Sequence, residues 1–130
     1  MRTIKFRGKS AATCDWVYGN LVTMPDGISG YAIVGDHFNL PSCDVIGTEE
    51  YCEVLNDTIG QYIGVTDYNN EPLFEGDIVR HGGEYYEIAY LEKYARFAGT
   101  KPGVVFAVFD LGYSVLAGNI FDNPDILKEV

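Results

Sequence analysis

Leu73-Phe74-Glu75-Gly76-Asp77-Ile78-Val79-Arg80 is the stretch whose reading decides the fold. Glycine accepts a positive φ that other residues resist, and the following aspartate can bond nearby backbone N–H groups. A Gly-Asp pair opening onto the β-branched run Ile78-Val79 therefore predicts a tight bend from which a strand starts. Immediately downstream, His81-Gly82-Gly83-Glu84 is a hairpin signal, followed by the strand Tyr85-Tyr86-Glu87-Ile88-Ala89-Tyr90. Gly99-Thr100-Lys101-Pro102-Gly103 reads as a loop, and Val104–Phe109 as the most apolar strand of the chain. Leu111–Leu116 then completes an antiparallel meander. At the end, Asn123 before Pro124 predicts an N-cap and a short terminal turn of helix through Lys128.

Upstream the rhythm is the same, with short apolar runs separated by turn residues. Gln61–Val65 looks extended, and Asp67-Tyr68-Asn69-Asn70-Glu71 is a polar turn. Ile4-Lys5-Phe6-Arg7 alternates at period two and reads as an opening strand. Trp16-Val17-Tyr18 and Leu21-Val22 flank Gly19-Asn20, which reads as a two-residue hairpin turn. Tyr31–Val34 is a further strand closed by Gly35-Asp36, and Pro25-Asp26-Gly27 and Leu40-Pro41-Ser42 are loops. Tyr51–Leu55 fits a strand or the end of a helical turn equally well.

These elements predict a mainly β protein. An N-terminal β-rich subdomain, 1–60, precedes an SH3-like small antiparallel barrel with a short terminal helix, 61–130, as one compact unit or two packed lobes. A chain of 130 residues, 47% apolar and 14% aromatic, can bury roughly two thirds of its unfolded surface without metal or disulfide support. That composition excludes a disordered chain. No uncharged apolar run approaches the ~18 residues of a membrane span, so no membrane role is expected.

Charge is segregated along the chain. Residues 1–9 hold four Lys/Arg and no acid, residues 10–79 hold twelve acids and no Lys/Arg, and residues 80–130 hold five bases and seven acids. Nucleic-acid binding wants clustered Lys/Arg and is disfavoured here, unless the basic N-terminus does it alone. The acidic excess is read first as a solubilising surface, and second as a mimic of a phosphate backbone.

Cys14, Cys43 and Cys52 include no C-x-x-C pair, and no apolar stretch follows the N-terminal charges. Reduced thiols in a cytoplasm are the economical expectation. A Cys43/His37 nucleophile pair is supported by closeness in sequence alone. Asp36-His37 and His81-x-x-Glu84 fall short of a metal site, and the Asp67–Glu71 turn lacks the glycine of a calcium loop. Glu75 and Asp77 lie beside the Gly76 bend, where turn stabilisation explains them better than acid–base chemistry. No catalytic residue, metal or cofactor is therefore assigned. The remaining resource is aromatic: Tyr85, Tyr86, Tyr90, Tyr94 and Phe97 form the candidate interaction surface, with Tyr90, Tyr94 and Phe97 at helical offsets. Lys93, Arg96 and Lys101 give this region the basic patch outside the N-terminus.

Four stretches in one order resemble the YopX family of phage and prophage proteins. They are Ile4–Lys9, Trp16-Val17-Tyr18-Gly19-Asn20-Leu21, the segment from Gln61-Tyr62-Ile63-Gly64-Val65-Thr66-Asp67 to Phe74-Glu75-Gly76-Asp77-Ile78-Val79, and Gly118-Asn119-Ile120-Phe121-Asp122-Asn123-Pro124-Asp125-Ile126-Leu127. Ile63 and Val65 stand where the family has threonine and leucine, and Asn70-Glu71 where it has asparagine-glycine and then lysine. The resemblance implies a β-rich fold, a phage or prophage origin and action in a bacterial cytoplasm. It brings no biochemical activity, and it marks Gln61, Tyr62, Gly64, Glu75, Gly76, Asp77, Asn119 and Pro124 as motif positions with structural roles. The expected function is a non-enzymatic accessory module that binds a host or phage protein and self-associates. An acidic nucleic-acid mimic that inhibits a host defence enzyme is the alternative.

Overall fold

The computed structural model describes residues 3–23, 30–35, 44–46, 49–102 and 110–128. The chain is mainly β, with two antiparallel sheets, and divides into two compact units, Met1–Gln61 and Tyr62–Val130. Among the described residues no helix is long and apolar enough to cross a membrane.

In the first unit the strands are β1 (Phe6–Lys9), β2 (Trp16–Thr23), β3 (Tyr31–Gly35), β4 (Asp44–Ile46) and β5 (Glu49–Val54), and β6 (Gly60–Thr66) begins there. Their order is β4-β5-β3-β2-β1-β6. Pairing of Phe6 with Gly19, Leu21 with Ile33 and Ile33 with Cys52 puts alternate residues of each strand on one face. That face is the core: Val17, Ile33, Cys52 and Val54 are buried, with Phe6, Leu21 and Ile59 packed against them.

Two expectations are corrected here. Gly19-Asn20 is not a turn, because β2 runs unbroken through it. The glycine is there for closeness: a Cβ on Gly19 would collide with the carbonyl oxygen of Val34 on β3. Cys52 is disulfide-bonded rather than reduced, whereas Cys14 is a free, exposed thiol. Tyr51–Leu55, open between strand and helical turn, is resolved as β5 running to Val54, with a single 3-10 turn, Asn56–Thr58, after it.

In the second unit β6 continues and pairs with β7 (Pro72–Phe74). The other strands are β8 (Asp77–His81), β9 (Glu84–Leu91), β10 (Arg96–Thr100) and β11 (Val115–Asn119), in the order β10-β9-β8-β11. Leu73, Val79, Tyr86 and Ile88 form the core, flanked by Ile63, Phe97, Leu111 and Leu116. Among the described residues these strands form an open sheet and no closed barrel, so the expected SH3-like closure is not found. The Gly76 bend is as read: Gly76 has φ 92°, and the buried Asp77 carboxylate accepts from the Phe74 N–H at 2.7 Å. Gly82 and Gly83 both take positive φ in the two-residue turn that pairs His81 with Glu84.

The meander departs from expectation after Pro102. Val104–Phe109 lies outside the described residues, as do His37, Cys43 and the two loops at 25–27 and 40–42. Leu111–Tyr113 is a 3-10 turn rather than strand, capped by Asp110, whose carboxylate accepts from the Gly112 N–H at 2.8 Å. The terminal turn, Pro124–Lys128, is 3-10. Asn123 precedes it, and its Oδ1 accepts from the Asn119 N–H at 3.3 Å.

Candidate functional site

Strands β9 and β10 form a hairpin whose tip is the 3-10 turn Glu92–Tyr94, closed by Ala95 in the left-handed conformation at φ 50°. The helical spacing of Tyr90, Tyr94 and Phe97 is thus realised as a hairpin. Seven residues is also the separation that sets Tyr90 opposite Phe97 across the two strands. Their rings meet edge to face at 5.0 Å between centroids, a geometry that adds about 0.5–1.5 kcal/mol beyond burial. Tyr94 sits on the tip and, like Tyr90, is 44% exposed.

The five aromatics do not form one patch. Strand alternation puts Glu84, Tyr86, Ile88 and Tyr90 on one face of β9 and Tyr85 on the other. Tyr86 is buried in the core, and its hydroxyl donates to Glu84 Oε2 at 3.0 Å. Lys101 Nζ lies 2.8 Å from Glu84 Oε1 and 5.1 Å from the Tyr86 ring centroid. These bonds hold the Glu84 carboxyl below its ordinary range and push the Tyr86 hydroxyl and the Lys101 ammonium up. Such an arrangement staples the hairpin to itself and leaves Tyr90, Tyr94 and the edge of Phe97 as its outward aromatics.

Beside Phe97 an open groove of about 300 Å³ is lined by Ile63, Val65, Arg96, Asp110 and Leu111. Sequence reasoning missed two exposed tyrosines of this unit. Tyr68 and Tyr113 are 70% and 69% exposed, the highest values among the large apolar side chains of the described residues. The Tyr68 N–H donates to the Ser114 carbonyl at 2.9 Å, which brings the two turns together. The signal for Tyr68 was present: an aromatic inside the polar run Asp67-Tyr68-Asn69-Asn70 has no apolar neighbour to be buried with.

The motif positions are placed as follows. The Tyr62 ring packs on Phe74 at 5.7 Å, and Gly64, at φ 94°, sits within the register shift between β6 and β7. Gln61 is half-buried in β6 at the end of the first unit. Asn119 Oδ1 accepts from the Phe121 and Asp122 N–H groups, which folds the chain into the terminal turn that Pro124 opens. Glu75 and Glu87 are neighbours. Burial, and secondarily the Glu75 charge, raise the Glu87 carboxyl above its ordinary range. A raised carboxyl binds a proton more readily folded than unfolded, so its penalty on stability grows as pH rises through that range. Glu87→Gln is therefore expected to raise the melting temperature at pH 7, with the difference closing near pH ~4, where the unfolded carboxyl is also protonated. A lower melting temperature at pH 7 would contradict this. Among the described residues no three His, Cys, Asp or Glu side chains converge to hold a metal.

Compared with protein families, residues 5–128 match the YopX family, described as "YopX protein". Among solved structures the chain is similar to protein EF1440 from Enterococcus faecalis. The two share 23% identity over 98% of this chain and 99% of that one, with a TM-score of 0.55, a likeness of fold. No curated protein matches it.

Proposed function

The chain belongs to the YopX family, and from that premise we propose that it is a non-enzymatic accessory module of phage or prophage origin that binds a host or phage protein. The observation that carries this reading is the set of exposed tyrosines of the second unit. Tyr90 and Tyr94 at the hairpin, and Tyr68 and Tyr113 on two turns, are exposed on a unit that has its own buried core. Tyrosines offer large contact area at low entropic cost and are enriched in binding hot spots. Among the described residues β10 is an edge strand that pairs with β9 alone, which supports self-association as well.

The nucleic-acid mimic is less well supported. Two of its twelve acids, Asp67 and Asp77, are buried and bonded to backbone N–H groups, so they add nothing to a surface field.

The test is capture from bacterial lysate by the tagged chain, with and without nuclease and at two salt concentrations, beside the variant Tyr90→Ala/Tyr94→Ala. One stoichiometric, nuclease-resistant protein is expected on the parent chain, reduced at least about tenfold on the variant, since a hot-spot tyrosine is worth ~2 kcal/mol. Equal capture by both would remove the hairpin from the reading. Salt-sensitive capture of a nucleic-acid enzyme would favour the mimic.

A further inference from the structure

Two turns of the second unit are hydrogen-bonded into one frame. The Asp67–Glu71 turn is closed by the Asp67 N–H, which donates to the Glu71 carbonyl, and by the buried Asp67 carboxylate, which accepts from the Asn69 and Glu71 N–H groups. In the turn at 110–114 the Gly112 N–H donates to the Asp110 carboxylate, the Tyr113 N–H to the Asp110 carbonyl and the Ser114 hydroxyl to the Leu111 carbonyl. Two further bonds join the turns: the Tyr68 N–H donates to the Ser114 carbonyl at 2.9 Å, and the Leu116 N–H to Asp67 Oδ2 at 2.8 Å. On this frame the Tyr68 and Tyr113 side chains are 70% and 69% exposed, and among the described residues neither ring meets another ring or a cation. Glu71 and Asp110, one in each turn, are exposed as well.

We propose that the joined turns dock a segment of a partner protein that carries one Lys or Arg between uncharged residues. A cation is attracted by the negative face of a tyrosine ring and by a carboxylate alike. The two turns hold three acids, Asp67, Glu71 and Asp110, and no base. Arginines stand at the margins: Arg80 is exposed opposite Val115 across β8 and β11, and Arg96 lines the groove that Asp110 also lines. A cation is therefore favoured over the turns and opposed at their edges, which limits the segment to a single charge. The same distribution counts against a nucleic acid, whose phosphates would meet Glu71 and Asp110. The bonds that close and join the turns fix the backbone before a partner arrives, so docking spends little on ordering it. This partner class rests on the reading of the exposed tyrosines as a binding surface, and it can fail while that reading stands.

The probe is a capped peptide, Gly-Thr-Arg-Thr-Gly, titrated into the isotope-labelled full chain at low salt and followed by backbone amide shifts. Its counterparts carry Gln or Glu in place of Arg. Saturable shifts are expected at the amides of 67–71 and 110–116. The Gln peptide is expected to bind at least about fivefold more weakly, and the Glu peptide to give no saturable shift. Tyr68→Ala/Tyr113→Ala is expected to weaken the Arg peptide at least about fivefold, whereas Tyr68→Phe/Tyr113→Phe, which keeps both rings, stays within about twofold of the parent. Glu71→Gln is expected to cost about twofold, the loss of one surface charge. Should the double alanine variant not fold, Tyr68→Ala alone, expected to cost about threefold, takes its place. No saturable shift, shifts centred outside the two turns, equal binding of the Arg and Gln peptides, or full binding by the alanine variant overturns the inference. If the Arg peptide fails while Tyr90→Ala/Tyr94→Ala still lowers capture from lysate, the protein-binding reading survives and the basic partner falls.

Discussion

Asp67→Ala is expected to lower the free energy of unfolding by about 3–5 kcal/mol, a large share of the stability of a domain this size. The carboxylate is buried and accepts three backbone hydrogen bonds. Oδ1 takes the Asn69 and Glu71 N–H groups, each at 2.8 Å, and Oδ2 takes the Leu116 N–H at 2.8 Å. Bonds to a charged group contribute about 1.5–3 kcal/mol each, and they are not additive here because all three share one carboxylate. Asn69 and Glu71 lie in an exposed turn where water can replace the lost oxygen. Leu116 is half-buried at the irregular part of the β8–β11 pairing, and it recovers least. The conservative variant separates these contributions. Asp67→Asn keeps an oxygen for the turn but aims an amide donor at the Leu116 donor, so it should fall between wild type and alanine. Urea unfolding of the three proteins measures the order. A loss below about 1 kcal/mol for alanine would mean that β11 is held elsewhere.

Asp67 also shows which features the sequence could and could not disclose. That Asp67 begins a polar turn is legible, because Asn69 and Glu71 are close in the chain. That its second oxygen holds the start of β11 is not, because Leu116 becomes a neighbour only after the sheet has formed. The same division runs through the molecule. The Gly76-Asp77 bend and the Gly82-Gly83 turn are read correctly, since each is complete within a few residues. The bond from the Asn119 N–H to Asn123 Oδ1 is not read from the sequence, because only the folded loop brings the two together. The expected barrel closure, not found among the described residues, has a related reason. Strand count and turn spacing are local, while closure depends on which edges meet.

The candidate site divides likewise. The aromatic cluster is legible because its tyrosines are close in sequence, but the hairpin that sorts them is not. A seven-residue offset suits one helix face and a cross-strand pair equally, and the left-handed Ala95 that closes the hairpin carries no glycine or asparagine to announce it. Tyr86 was grouped with the exposed rings although strand alternation alone would have set it with Ile88, inside. Tyr113 could not have been joined to Tyr68 at all, because the bond from the Tyr68 N–H to the Ser114 carbonyl bridges two distant turns.

Gly19→Ala is expected to cost about 3 kcal/mol, at the upper end for overpacking, although it adds one methyl group. Gly19 lies opposite Phe6 on β1, and β3 approaches on its other side. A Cβ would be driven into the Val34 carbonyl oxygen and would lie 3.1 Å from Ile33 Cγ2. The side chain of Ile33 can turn a little, but the Val34 carbonyl belongs to the β2–β3 ladder and cannot retreat without widening strands that hydrogen bonding holds about 4.8 Å apart. Gly82→Ala is the control. Nothing lies within 4 Å of the Cβ it would add, so its only penalty is the positive φ of 60°, about 1 kcal/mol. Gly19, at φ 159°, adds a collision to its backbone strain, whereas Gly82→Ala carries strain alone. If Gly19→Ala proved the milder of the two in urea unfolding, the close approach of β2 and β3 could not be what requires glycine. The Gly-Asn pair would then have to be explained by its own conformation, as a bend in β2, and the expectation of a turn there would regain its footing.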